Sequence, residues 1–278
     1  MHIALRPLAE QLATDPSSVL LALDFDGTLS PIVDDPERAR AVPAAIEALV
    51  DLADRGARIA IVTGRDAATV VELGGLERIR GVLVSGLHGA ETWHEGRFRT
   101  RDEPAGISAL REALPPLLER VDPGVWLEDK RLSLVVHTRR ATHPEQSLEM
   151  LREPVTALAA EHDLDVVGGK FVLEIRIPGL SKADAVSSLL NEHTRAALFC
   201  GDDLGDLPAF EAIRSWAADS GHTGITIAVG EVPQVSTAAD LQVDSPEELA
   251  ELLSELADQD NRRDPPLRGP EVNPQTQP

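Results

Sequence analysis

Leu20-Leu21-Ala22-Leu23-Asp24-Phe25-Asp26-Gly27-Thr28-Leu29-Ser30 decides how this chain folds. An apolar run stops abruptly in two aspartates one residue apart, followed by a glycine. Read as a strand over 19–24, the run alternates faces, so Asp24 and Asp26 point one way and Phe25 the other. The C-terminal mouth of a buried parallel strand is where open α/β sheets place their chemistry. Two like charges this close are costly unless a cation sits between them or one carboxyl keeps a proton. Asp-Gly is also common turn chemistry, so the motif alone reads equally well as a strand end entering a turn.

Working outward, strands and helices alternate. A short helix over 5–13 leads in. Residues 30–42, broken by Pro31 and Pro36, read as a loop, and Pro43 suits the first turn of a helix over 44–55 that stops at Gly56. A strand over 58–62 ends in Thr63-Gly64-Arg65-Asp66, with Asp66 placed to cap a helix through Val71. A strand over 81–85 runs into Gly86-Leu87-His88-Gly89-Ala90-Glu91, and 92–100 reads as a hairpin turning at Glu95-Gly96. After an interruption, Ser181 caps a helix over 182–193. A strand over 196–200 then ends in Gly201-Asp202-Asp203-Leu204-Gly205-Asp206. A helix to about Ala217, strands over 224–229 and 240–243, and a helix over 247–256 capped by Ser245 follow.

This alternation predicts an α/β fold with a parallel sheet. The interruption, 104–178, spells helix, strand, strand, helix, strand, strand: 107–120, 125–128, 132–138, 144–161, 165–167 and 171–177. Pro115 and Pro116 are expected to break or kink the first helix, and Pro154 to kink the second. A compact α+β unit is therefore inserted over 104–178 into a core of 1–103 and 179–257. Residues 258–278, almost without apolar side chains, are expected to be a disordered tail.

Composition removes several classes. The 47 acidic and 26 basic residues leave a net charge of −21, which argues against nucleic acid as a partner. The chain has one cysteine, Cys200, so no internal disulfide forms and a reducing compartment fits; Cys200 reads as core packing. Residues 1–16 carry no apolar stretch of signal-peptide length, and no run approaches the roughly 20 residues that span a bilayer. A cytoplasmic monomer touching no membrane is expected. No Gly-x-Gly-x-x-Gly follows a strand, which disfavours a dinucleotide-dependent oxidoreductase.

Three strand ends finish in polar groups, Asp24 with Asp26, Thr63, and Asp202 with Asp203, and a parallel sheet puts all three on one edge. Lys182 begins the helix leading into the third. Mg²⁺ accepts oxygen ligands and keeps several waters, so a few carboxylates suffice. A hydroxyl and a lysine suit phosphate oxygens. A metal, a phosphate cradle and a spare carboxylate amount to a phosphoryl-transfer site. Singly, each has a plainer reading: Thr63-Gly64 as a turn, Lys182 as a solvated helix residue, Asp203 or Asp206 as a helix cap.

In that order, Asp24-Phe25-Asp26-Gly27-Thr28, Thr63, Lys182 and Gly201-Asp202-Asp203 resemble the four motifs of haloacid-dehalogenase-type phosphatases. The resemblance implies Asp24 as nucleophile and Mg²⁺ ligand, and Asp26 as proton donor and acceptor with its backbone carbonyl on the metal and its side chain free. It implies Thr63 and Lys182 as phosphoryl holders, and Asp202 with Asp203 or Asp206 completing the metal site.

The inserted unit narrows the likeness. Trp126-Leu127-Glu128-Asp129-Lys130, Ser133 to Arg140, Gly169 to Arg176, and Ser85 to Glu91 are similar to trehalose-6-phosphate phosphatases over roughly 18–257. The resemblance implies a Rossmann-like core with an αββαββ cap. It also implies Mg²⁺-dependent hydrolysis of a sugar phosphate, trehalose 6-phosphate. Sugar contacts would be Glu128, Lys130, Arg139, Lys170 and Glu174, with His88 within reach. Trp126 reads as cap core and His137 as a strand residue. Departures are Leu204-Gly205-Asp206-Leu207, where the family carries a Thr and a Glu, and His137-Thr138-Arg139, where it carries His-Tyr-Arg. A phosphatase of sucrose 6-phosphate or mannosyl-3-phosphoglycerate, and a non-catalytic trehalose-6-phosphate-binding regulator, remain open readings.

Overall fold

The computed structural model describes residues 2–130 and 132–258. In chain order the helices are α1 (Arg6–Thr14), α2 (Pro43–Asp54), α3 (Ala67–Gly74), α4 (Ala105–Glu119), α5 (Pro144–Ala160), α6 (Lys182–Leu189), α7 (Leu207–Ser220), α8 (Pro233–Ala238) and α9 (Pro246–Asp258). The first five strands are β1 (Val19–Leu23), β2 (Arg58–Val62), β3 (Leu83–Gly86), β4 (Glu91–His94) and β5 (Arg97–Thr100). Then come β6 (Trp126–Asp129), β7 (Ser133–His137), β8 (Asp165–Gly169), β9 (Val172–Arg176), β10 (Ala196–Gly201), β11 (Thr223–Val229) and β12 (Leu241–Val243).

Among the described residues, one sheet runs β12-β11-β10-β1-β2-β3-β4-β5 and a second β6-β7-β9-β8. From β12 through β3 all pairs are parallel, and the β4–β5 hairpin adds antiparallel strands at one edge. β1 lies between β10 and β2, so every side chain from Val19 to Leu23 is buried. That burial on both faces explains why the run is continuously apolar rather than alternating. The inserted sheet is wholly antiparallel, and α4 and α5 pack Ile107, Leu110, Leu114, Leu151 and Val155 against one of its faces. A small cluster of Ala90, Leu132 and Leu180 joins the two sheets' surroundings.

Three expectations are corrected. Pro115 and Pro116 do not break α4, and α5 likewise continues past Pro154. None of the three is buried, and the buried stripe of each helix continues past them. The unmade hydrogen bonds therefore fall on the solvent side, where the freed carbonyls reach water. α6 stops at Leu189 rather than 193. There the Asn191 side chain accepts from the His193 amide and the Thr194 hydroxyl, a local alternative to helix. Trp126 is absent from the core between the second sheet and its helices, to which its neighbours Val125 and Leu127 belong. It lies on the opposite face, stacked on His137. The expected disordered stretch lies outside the described residues except Asp258, which closes α9. Among the described residues, no helix is long and apolar enough to cross a membrane.

Candidate functional site

The Asp24 amide donates to the Cys200 carbonyl at 2.9 Å, extending the β1–β10 ladder by one bond before the chain turns. The Phe25 carbonyl accepts from Leu29 and Ser30, and Gly27 donates to the Ser30 carbonyl. Gly27 has φ +74°, and a Cβ there would come 2.1 Å from Asp202 Oδ2. Only glycine lets the turn after β1 sit directly against the carboxylate after β10. Phe25 is fully buried in the core beneath, on the side away from Asp24, as the alternation predicts.

Asp24, Asp26, Thr63, Lys182 and Asp202 line one cavity of about 530 Å³ at the strand mouths. The Lys182 ammonium, at the first position of α6, is 3.0 Å from Asp24 Oδ2 and 2.7 Å from Asp206 Oδ1. The Thr63 amide extends β2 onto the Ser85 carbonyl, and the Thr63 hydroxyl accepts from the Arg65 amide at 3.1 Å.

Of the two acids left open, Asp203 and Asp206, it is Asp206 that stands beside Asp24 and Asp202. It is fully buried, and its Oδ2 accepts from the amides of Asp202 and Asp203 at 3.0 and 3.1 Å. A Cβ on Gly201 would collide with that carboxyl. Asp203 is exposed and accepts from the Gly205 amide, capping the turn before α7. Among the described residues, Asp24, Asp202 and Asp206 bring one oxygen each within 4.8 Å of one another. Neither Asp203 nor the Asp26 carboxyl joins them. Contrary to the expectation of a free side chain, Asp26 is bound at both oxygens by Arg65, with Nε and Nη2 each at 2.5 Å.

Asp24 and Asp206 share the Lys182 ammonium, and Asp202 stands beside them. Burial pushes the Asp24 carboxyl well up, Lys182 opposes, and the Asp206 charge adds to the rise. Asp202 is pushed up to about 7 by burial and then by the Asp206 and Asp203 charges. Burial works against the Lys182 ammonium, but Asp24 and Asp206 outweigh it and keep it charged. Cys200 is fully buried and its thiol is pushed up by that burial, which fits core packing.

The expected sugar residues divide. His88, Lys130 and Glu174 line a narrow cleft of about 30 Å³ between core and insertion, together with Ser133 and Arg176, which the sequence did not single out. Lys130 and His88 also border the larger cavity. Leu87 and His88 both adopt positive φ, at 45° and 56°, and the imidazole packs on Gly64. Burial lowers the His88 pKa against the pull of Glu174. Glu128 is held by His137 at 2.8 Å. Arg139 and Lys170 are exposed beyond the far ends of β7 and β8 and do not border the cleft. Arg65 was missed as a site residue although it stands two residues after Thr63.

The family model described as trehalose-phosphatase matches residues 22–247. A protein of Mycobacterium avium named trehalose-phosphate phosphatase is 36% identical over 254 residues, covering 85% of this chain and 61% of that protein. The C-terminal domain of the C. albicans trehalose-6-phosphate phosphatase is similar in structure, with TM-score 0.67, 26% identity and coverage of 91% of this chain and 96% of that one. The Aspergillus fumigatus trehalose-6-phosphate phosphatase shares the fold, with TM-score 0.73 at 24% identity over 91% of this chain and 96% of that chain.

Proposed function

The chain belongs to the trehalose-phosphatase family, and from that premise we propose that it hydrolyses trehalose 6-phosphate to trehalose and phosphate, with Mg²⁺, through an aspartyl-phosphate intermediate. The observation that carries this is the Asp24 carboxylate, buried at a strand mouth 3.0 Å from the Lys182 ammonium and open to the cavity that Thr63 and Asp26 share. Asp24 attacks phosphorus, the bond to the sugar oxygen breaks, and Asp26 supplies the proton that oxygen takes. Water then attacks the same phosphorus and gives a proton to Asp26. The bond to Asp24 breaks, and phosphate leaves with both carboxyls restored. Thr63 and Lys182 hold the transferring oxygens. Before it can carry a proton, Asp26 must give up one of its two bonds to Arg65.

The donor set fits a hard divalent cation. It is all oxygen, it sets three carboxyls beside one ammonium, and the missing Cβ of Gly27 leaves Asp202 its place. Asp24 and Asp202 would hold the ion, with Asp206 beside them fixing Lys182 and the 202–203 amides. When bound, it would neutralise charge on the phosphoryl oxygens.

Phosphate release, with and without Mg²⁺, from trehalose 6-phosphate, sucrose 6-phosphate and glucose 6-phosphate tests the reading. A clear preference for the first, dependent on Mg²⁺, is expected. Equal rates would remove the substrate assignment.

A further inference from the structure

The insertion's sheet presents its other face, away from α4 and α5, to the cleft. Antiparallel register arranges that face in rows: Ser133 with Arg176, then Glu128 and Glu174 on either side of Val135, then Trp126 with His137. The first row borders the core loop that carries His88. Each row lies about 6.6 Å further along the strands. His88 and Lys130 border both the cavity at Asp24 and Lys182 and the cleft at Ser133, Glu174 and Arg176, so an ester whose phosphate sits at Asp24 would reach the sheet at the first row, and a second ring would extend along the rows that follow.

The two carboxylates of the middle row are each braced by one neighbour. Ser133 Oγ donates to Glu174 at 3.0 Å, and His137 Nε2 lies 2.8 Å from Glu128 Oε2. His137 is itself fixed. Its ring stacks on Trp126 at 4.5 Å and 6°, and the Arg140 guanidinium carbon lies 4.5 Å from the centre of the same indole. A half-exposed glutamate otherwise loses rotamer freedom when it binds. Here the stack has already spent it.

We infer that His137, held by Trp126, positions Glu128 for the second sugar ring and so sets selectivity for a disaccharide phosphate over a monosaccharide phosphate. This rests on the proposed function. His137 is a positioning residue, acting through Glu128 and not on the reacting atoms.

Two variants separate its parts. His137→Phe keeps a ring for the stack and loses the hydrogen bond, whereas His137→Gln keeps a donor and loses the ring. Steady-state kinetics on trehalose 6-phosphate and glucose 6-phosphate read the effect, and p-nitrophenyl phosphate, which has no sugar, reports the core centre in the same preparations. His137→Phe should raise KM for trehalose 6-phosphate about tenfold, the size of one hydrogen bond to a charged group, with a much smaller change in kcat. His137→Gln should recover part of it. The double variant with Glu128→Gln should be no worse than Glu128→Gln alone. An unchanged KM in His137→Phe, additive losses, or equal loss on all three substrates overturns the inference. A wild-type enzyme with no preference for trehalose 6-phosphate over glucose 6-phosphate overturns the functional reading first, and the inference with it.

Discussion

Asp26 and Arg65 form a bidentate ion pair at the mouth of the sheet, with Nε and Nη2 each 2.5 Å from a carboxylate oxygen. Arg65 Nη1 also donates to the Pro36 carbonyl at 2.8 Å, and the guanidinium lies over the Phe25 ring at 5.9 Å. One side chain therefore ties the proposed proton carrier to the loop after β1. Two parallel bonds fix a carboxylate's plane as well as its place.

Removing that fork should loosen Asp26 more than it harms the fold. Arg65→Gln should lower kcat/KM, which reports the step that expels the leaving group, on a sugar phosphate by about 10- to 100-fold, part of what a positioned proton donor supplies. On p-nitrophenyl phosphate, whose leaving group needs no proton, the loss should be much smaller. Arg65→Lys, a point charge without the fork, should not restore it. Equal losses on both substrates would contradict the positioning role.

Asp24→Asn should remove turnover while raising the melting temperature of the metal-free protein. The substitution takes away one of three clustered carboxylates, the one that burial and the Asp206 charge push well up. Thermal melts in a chelator read the stability. A clear drop would mean that the Asp24–Lys182 pair is a net stabiliser.

The same crowding sets a pH dependence. Asp202 is raised to about 7 from a usual value of 3.8, and Asp24 and Asp206 move in the same direction. Between those values the folded protein keeps a proton that the unfolded chain has released. This contribution is complete below the unfolded value and lost as pH rises through about 7. Metal-free protein should therefore melt at a lower temperature at pH 8 than at pH 5. Added Mg²⁺ should stabilise more at the higher pH, where the acids are ionised. A melting temperature that rises from pH 5 to 8 in the chelator, or Asp202→Asn with an unchanged slope, would contradict this.

Gly27 and Gly96 share φ +74°, but a Cβ on Gly27 meets Asp202 whereas one on Gly96 meets nothing within 4 Å. Gly96→Ala should cost about 1–2 kcal/mol from the backbone alone. Gly27→Ala should cost more and weaken Mg²⁺ stabilisation as well. Equal losses in urea unfolding, with Mg²⁺ stabilisation intact, would show that the Asp202 contact is unimportant.

The strand mouths were legible because apolar runs ending in acids, a hydroxyl or glycine state both an element and its edge. Asp24, Thr63, Lys182 and Asp202 are placed at one cavity on that ground. Asp206 and Asp203 were not separable, since both sit in one short loop and the turn's geometry decides which faces inward. The direction of Arg65's long side chain has no local signal. Pro115 and Pro116 misled as helix breakers because the stripe through Leu110, Leu114 and Leu118 outweighs hydrogen bonds lost on the wet side. Trp126 misled by its size. The alternation of Val125 and Leu127 around it already pointed the indole away from the helices.

The central claim is that Asp24 attacks the phosphorus of trehalose 6-phosphate. Rapid acid quench of the protein mixed with Mg²⁺ and substrate carrying radiolabelled phosphate measures it directly. Label should appear on the protein within one turnover, map to the peptide containing Asp24, chase into free phosphate, and be absent from Asp24→Asn. Phosphate release with no label on the protein, and undiminished turnover by Asp24→Asn, would contradict it.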